Sequence, residues 1–349
     1  MRKAGVIFVL AACVMAGRLS TWLIPEMPGW DQPVNAQGTA QIPEAKRPAP
    51  TGTLTPRPVN PARPWGWMVR ELMIKPDRKL HNKSKAKMLA GQREFGLTMS
   101  GPEAGHLDPE VYCYLAAQPK VDHVWFEMQH STQRFDQVQA LMAACPQAGA
   151  APLIRIPDAI EGNFQKTFDM GALGVVIPTV EDAIMARAAA RYARVPPYGY
   201  RSCCGSTMNR FWGKFVPQGE TVPIMMVDEV LVIPMIETVI GVSNAMEIAS
   251  VPGIDVVILG NGDLQRFSGH NAFSNEFQDL LTKVRDAAYL AGKFWGNASG
   301  PVGVGNRLAP DSFFNQNQEW PAGQLEFAIP GRAPVKTGLM GPTGIATDK

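Results

Sequence analysis

Leu231-Val232-Ile233-Pro234-Met235-Ile236-Glu237 is an unbroken apolar run closed by a carboxylate. A strand with one face in water alternates apolar and polar side chains. An unbroken run belongs to a strand covered on both faces, as in a parallel sheet. Working outward, comparable segments occur at Phe95–Ser100, His123–Met128, Ala151–Ile156, Leu173–Pro178, Asp255–Gly260, Lys293–Ala298 and Gln324–Ile329. Helical patterns lie between them at Thr132–Ala144, Ile160–Met170, Val180–Tyr192, Val242–Ala249 and Ser274–Ala291, with Ser274 as an N-cap. Strands alternating with helices in this way predict an α/β fold, a (β/α)8 TIM barrel. Its C-terminal end is irregular, because the chain after residue 300 is rich in Gly and Pro and shows no clear final helix. A doubly wound open sheet is the alternative, but no GxGxxG follows any of these strands. Residues 194–230 form a connection rich in Pro, Gly and Met, too long for an idle loop.

Composition narrows the function classes. The 349 residues are 46% hydrophobic and 18% charged with a net charge of +2. That balance fits a globular protein and gives no field for nucleic acid or an anionic membrane. No apolar run reaches the roughly 20 residues of a transmembrane helix. The expected organisation is a signal peptide over 1–36, a Pro-rich linker over 37–75, the barrel over 76–335 and a flexible tail over 336–349. Arg2 and Lys3 precede an uncharged stretch from Ala4 to Gly17, and Val34-Asn35-Ala36 is a cleavage candidate. This predicts export to a bacterial periplasm rather than a cytoplasmic location. Leu10-Ala11-Ala12-Cys13 has the form of a lipobox and offers lipid anchoring through Cys13; a disordered or buried N-terminal arm is the third reading. The cysteines at 13, 113, 145, 203 and 204 show no disulfide framework and no zinc spacing, so unpaired thiols are expected.

Chemistry in a parallel barrel collects at the C-terminal ends of the strands. The second strand runs into Glu127-Met128-Gln129-His130, and the third carries Arg155 between Ile154 and Ile156. The fifth ends in Glu237-Thr238, and the sixth continues into Gly260-Asn261-Gly262-Asp263. Glu237 and Asp263 suit a hard divalent cation completed by waters and substrate oxygens. Arg155 suits an enolate or carboxylate, and His130 a proton near neutral pH. Each also has a plainer reading: a hydrogen-bonded structural His, an Arg paired with a carboxylate, an acid capping the next helix. Asp169 by itself reads as an ordinary helix-end residue.

These stretches resemble one family over residues 82–298. They are Asn82-Lys83-Ser84-Lys85, Leu89-Ala90-Gly91, Phe95-Gly96-Leu97, Phe126–His130, Ile154–Pro157, Asp169–Pro178, Pro196–Arg201, Pro234–Thr238 and Leu259–Leu264. The family is the metal-dependent 2-oxo acid aldolases, the HpcH/HpaI aldolase group related to the citrate lyase beta subunit. The resemblance implies a TIM barrel of the phosphoenolpyruvate/pyruvate-binding type. It implies a lyase that reversibly cleaves a 4-hydroxy-2-oxo acid to pyruvate and an aldehyde through a metal-stabilised enolate. Glu237 and Asp263 match the ligands of a divalent metal ion, Mg2+ or Mn2+, with Co2+ a further option. Arg155 matches the contact to the 2-oxo group, His130 the general acid or base, and Asp169 the carboxylate paired with it. The backbone amides of Gly262 and Asp263 match those that receive the pyruvate carboxylate. Arg201 and Gly205 match a loop that shapes the site, and a homo-oligomer is the implied assembly. The family's usual Asp-x-Glu-His reads here Glu127-Met128-Gln129-His130, one methylene longer and one charge poorer. A CoA-thioester lyase and a non-catalytic exported oxo-acid-binding protein are the alternatives.

Overall fold

The computed structural model describes residues 74–75, 77–100, 107–203, 205–298, 307–308 and 311–316, together with the backbone of 325–327 and 335–337. The expected signal peptide, Cys13 and nearly all of the linker lie outside the described residues. Strands β1 (Glu94–Met99), β2 (His123–Glu127), β3 (Ala151–Arg155) and β4 (Gly174–Ile177) pair in parallel in that order. β5 (Leu231–Ile236), β6 (Val256–Leu259), β7 (Phe294–Asn297) and β8 (Phe314–Gln316) continue the series, and β8 pairs with β1 to close the barrel. Every residue of β2 to β8 is buried. Inward side chains fill the barrel and outward ones meet helices, so the continuous apolar runs have no wet face.

The helices follow the expected intervals. α1 (Lys83–Leu89) precedes β1, and α2 (Pro109–Ala116) and α3 (Phe135–Ala144) flank β2. α4 (Glu161–Asp169) and α5 (Ala183–Ala193) flank β4. α5 buries Ala186, Ala189, Ala190 and Ala193, a helical stripe of small residues, and Asp182 caps it by accepting from Met185 N. The 194–230 connection holds α6 (Ser206–Trp212), a 3-10 turn and α7 (Val222–Glu229). The single helix expected over Val242–Ala249 is two, α8 (Val239–Ser243) and α9 (Ala245–Ala249), broken at Asn244. α10 (Asn261–Ser268) follows β6, and α11 (Asn275–Leu290) is capped by Ser274 as its sequence predicts.

The N-terminal end of the barrel is tied by buried charge. Lys85 Nζ donates to Val230 O at 3.0 Å and to Asp255 Oδ1 at 3.1 Å, and Arg194 Nη2 reaches Asp255 Oδ2 at 2.9 Å. His123 Nδ1 lies 2.7 Å from Glu94 Oε2, and its Nε2 lies 2.6 Å from Gln316 Oε1. Burial alone would lower the His123 pKa, but Glu94, Gln316 and Asp122 outweigh it and the net direction is up. Gly96 makes room for that imidazole, since a Cβ there would sit 2.1 Å from its Nε2.

Three expectations need correction. The eighth strand is Phe314–Gln316, not Gln324–Ile329. Its polar Asn315 and Gln316 face partners in the barrel base, so it carries no apolar run: Asn315 Nδ2 donates to Glu94 O and Gln316 Oε1 meets His123. Leu325–Phe327 instead forms β9, which pairs antiparallel with β10 (Val335–Thr337), so residues 336 and 337 belong to a strand rather than a tail. Finally, Cys113 and Cys145 are joined by a disulfide with a Cα–Cα distance of 5.7 Å, and Cys203 is also disulfide-bonded. Cys113 sits within α2 and Cys145 caps α3, so helix packing brings together residues 32 apart in sequence.

Closing a loop of that length restricts the unfolded chain, and the double variant Cys113→Ser/Cys145→Ser is expected to lose about 3–4 kcal/mol of stability. Urea unfolding with and without reductant measures it. Equal midpoints for the variant and the oxidised protein would show that the bridge adds nothing.

Candidate active site

Three strands end in charge at the C-terminal face. β2 ends at Glu127 and β3 at Arg155, which are direct neighbours in the parallel register, and Glu237 follows β5. Arg155 Nη2 donates to Glu237 Oε1 at 2.9 Å, and Nη1 meets Glu127 Oε2 at 3.3 Å. Trp125 Nε1 adds a contact of 3.2 Å to the same Glu127 oxygen. Glu127 Oε1 accepts the backbone N–H groups of Gln129 at 2.8 Å and His130 at 3.1 Å, so this carboxylate shapes the turn that carries His130. Glu237 Oε2 accepts from Thr179 N at 2.8 Å and Thr179 Oγ1 at 3.0 Å. Thr179 has φ 49°, left-handed backbone that a β-branched residue adopts only under local constraint.

Glu127, Arg155 and Glu237 are all buried, at 5%, 7% and 2% exposure. Buried charge is stable only when paired. Here one guanidinium serves two carboxylates, which leaves one negative charge over and makes the cluster attractive to a further cation. Glu237 lies against the end of β6. A Cβ on Gly260 would fall 2.3 Å from Glu237 Oε1, so only glycine leaves the carboxylate in place. Gly260 is the N-cap of α10, and Asp263 lies three residues on, in its first turn, where positions i and i+3 share a helix face. Asp263 is 37% exposed and its Oδ1 is 3.5 Å from Arg266 Nη1, a weak surface pair that leaves the carboxylate accessible. Among the described residues no group of three or more His, Cys, Asp and Glu side chains is arranged to hold a metal. Glu237 and Asp263 offer hard carboxylate oxygens, a chemistry that suits an Mg2+-type ion completed by waters and substrate oxygens rather than a zinc cage.

His130 is exposed on the turn after β2. Its expected pairing with Asp169 is not formed within the chain. Asp169 is the last residue of α4, which runs antiparallel to the strands and returns the chain to the start of β4 at Gly174, the opposite end of the barrel. There Asp169 Oδ1 meets Arg201 Nη1 at 3.3 Å, and Asp169 Oδ2 accepts from Gln165 Nε2 at 2.5 Å. Burial lowers the Arg201 guanidinium to about 10, with Asp169 partly restoring it. Gly205 packs on the same group, since a Cβ there would lie 2.6 Å from Asp169 Cα. Asp169, Arg201 and Gly205 thus form one cluster, while Glu127, Arg155, Glu237, Gly262, Asp263 and His130 belong to the other end. Thr179, Trp125 and the close approach at Gly260 escape a sequence reading, because neither the unusual φ nor the contact to Glu237 leaves a pattern in residue types.

Comparison with known proteins shows the family and the fold. The family model described as HpcH/HpaI aldolase/citrate lyase matches residues 113–302, more than half of the chain. A 2-dehydro-3,6-dideoxy-6-sulfogluconate aldolase of Pseudomonas putida is 32% identical over 166 residues, 48% of this chain and 63% of that protein. A 4-hydroxy-4-methyl-2-oxoglutarate aldolase of Chaetomium globosum is 32% identical over 187 residues, 53% of this chain and 69% of that one. The match thus spans somewhat under two thirds of the first relative and somewhat over two thirds of the second. Among solved structures, an HpcH/HpaI aldolase from Desulfitobacterium hafniense superposes with a TM-score of 0.58 at 25% identity, covering 66% of this chain and 88% of that one.

The contact at Gly260 yields a paired test. Gly260→Ala forces Glu237 off Arg155 and is expected to cost about 1–3 kcal/mol, the usual range for overpacking. Gly262→Ala, whose Cβ would meet nothing nearer than Arg266 Nη1 at 3.4 Å, is expected to be neutral. Urea midpoints of the two variants decide it, and equal midpoints would show that the Gly260 contact carries no weight.

Proposed function

The chain belongs to the HpcH/HpaI aldolase/citrate lyase family, and on that premise we propose that it is a divalent-metal-dependent aldolase acting on a 4-hydroxy-2-oxo acid. The enzyme is a carbon–carbon lyase that reversibly gives pyruvate and an aldehyde. The observation that carries this reading is the Arg155 guanidinium fixed between Glu127 and Glu237 at the C-terminal face. Glu237 and Asp263 would hold the metal, Mg2+ or Mn2+. When bound, a divalent ion supplies Lewis acidity to the 2-oxo oxygen where enolate charge develops.

The remaining roles fall to the chain itself. The first-turn N–H groups of α10, at Gly262 and Asp263, receive the substrate carboxylate at the positive end of the helix. Arg155 donates to the 2-oxo oxygen. Its orientation is set in advance, so little reorganisation accompanies the reaction. His130, exposed on its turn, accepts the proton of the 4-hydroxyl. The C3–C4 bond then breaks, its electron pair enters the enolate, and the 4-carbon leaves as the aldehyde. Protonation at C3 completes pyruvate, and addition runs the same steps backwards. Export belongs to the proposal as well: the Cys113–Cys145 disulfide suits an oxidising compartment such as the periplasm.

Two measurements test the reading. Pyruvate methyl protons should exchange with deuterated water in the presence of Mg2+ or Mn2+ and stop exchanging when a chelator is added. Metal binding without exchange would instead mark an oxo-acid-binding protein. His130→Ala should lower aldol turnover by roughly 10²–10⁴-fold, the usual share of acid–base catalysis, and leave divalent-metal affinity unchanged. A matching loss of metal affinity would show that His130 has a different role.

A further inference from the structure

A cavity of about 160 Å³ lies at the starts of β3 and β4, the opposite end of the strands from Arg155 and Glu237. The proposed chemistry does not use it. Aromatic side chains dominate its wall: His81, Tyr112, Phe211, Trp212 and Phe215. The His81 ring centroid is 4.3 Å from that of Phe215 and 6.2 Å from that of Trp212, and Trp212 is 6.2 Å from Phe215. These three rings therefore pack as one group.

The wall is tied from several directions. The Cys113–Cys145 disulfide joins the helix that carries Tyr112 to the segment that carries Gln147. His81 N donates to Glu229 Oε1 at 3.0 Å, and Asn82 Nδ2 donates to Leu173 O at 3.0 Å. Trp212 Nε1 donates to Gly171 O at 2.9 Å, and Gln147 Nε2 donates to Phe211 O. The Tyr112 hydroxyl and the His81 imidazole make no such bond among the described residues. Tyr112 is 3% exposed, and a tyrosine hydroxyl kept from water normally has a partner. Burial alone raises its pKa, so the group stays protonated and can donate. Burial lowers the pKa of His81, with Lys79 and Arg78 adding to it. At neutral pH its ring is therefore uncharged and offers one donor and one acceptor.

Size and charge select the ligand. An apolar cavity of roughly 150 Å³ accepts a molecule the size of benzene. Among the described residues no Asp, Glu, Lys or Arg lines this one. A carboxylate inside it would lose its water without gaining a counter-charge. A cation would meet the repulsion of Lys79 and Arg78, which already act on His81. A neutral ring with one hydroxyl meets neither penalty and matches the two unused polar groups. We propose that this cavity is a second binding site, for a neutral single-ring phenol whose ring packs on the aromatic wall and whose hydroxyl accepts from Tyr112 and donates to His81. The inference does not depend on the aldolase reading.

Calorimetric titration of p-cresol and toluene into the full chain tests this. The two share a ring and a methyl group and differ in the hydroxyl. Wild type should take up one p-cresol per chain, bind toluene more weakly, and bind neither benzoate nor benzylammonium. Tyr112→Phe and His81→Phe should each weaken p-cresol roughly three- to tenfold, the share of one ordinary hydrogen bond, and leave toluene as it was. Tyr112→Phe should keep the thermal stability of wild type, because the hydroxyl it removes has no partner in the fold. It decides the question alone should His81→Phe not fold. The inference is overturned if p-cresol does not bind wild type, binds Tyr112→Phe as tightly as wild type, or binds no better than benzoate.

Discussion

A single guanidinium buried between two carboxylates is the constraint from which the catalytic face follows. Arg155 has nowhere to place its charge except against Glu127 on the neighbouring strand and Glu237 at the end of β5. Removing Arg155 would leave two buried carboxylates without a counter-charge, the costly case for an ion pair away from water. The surroundings conform to this cluster. Thr179 accepts an unusual backbone angle to give Glu237 two hydrogen bonds, and Gly260 gives up a side chain so that Glu237 can remain where it is. Glu127 in turn bends the following segment and sets where His130 emerges.

Such a face needs a rigid support, and the opposite end of the barrel provides it. Lys85, Asp255 and Arg194 join α1 to the starts of β5 and β6. Glu94, His123 and Gln316 lock β1, β2 and β8 together at the point of closure. The two ends divide the labour. At the N-terminal end Lys85, Arg194 and Asp255 pair with one another, as do Glu94, His123 and Gln316, whereas the cluster at the C-terminal end sets two carboxylates against one guanidinium. That asymmetry agrees with the general placement of chemistry in parallel barrels.

Much of this was legible in the sequence because burial on both faces leaves an unmistakable apolar run. Seven strands fall within a residue or two of their expected places, and Glu127, Arg155, Glu237 and Asp263 all follow from asking which runs end in charge. β8 was not legible, because Phe314-Asn315-Gln316 satisfies its polar side chains inside the barrel base and so lacks the apolar pattern. The pairing of Asp169 with His130 came from family resemblance. Chain direction argues against it within one chain: a helix that follows a parallel strand carries its last residue away from the catalytic end. Cys113 and Cys145 were missed for a related reason, since their meeting depends on how α2 and α3 pack rather than on spacing.

The central claim is that the strand-end carboxylate at Glu237, held in place by Arg155 and Thr179, is one of two acids proposed to bind a divalent ion. Calorimetric titration of Mn2+ into the full chain and into Glu237→Gln tests this most directly. The account predicts one ion per chain in wild type and binding weaker by at least about tenfold in the variant, since loss even of a supporting group commonly costs that much. Equal affinity in the two proteins would contradict it.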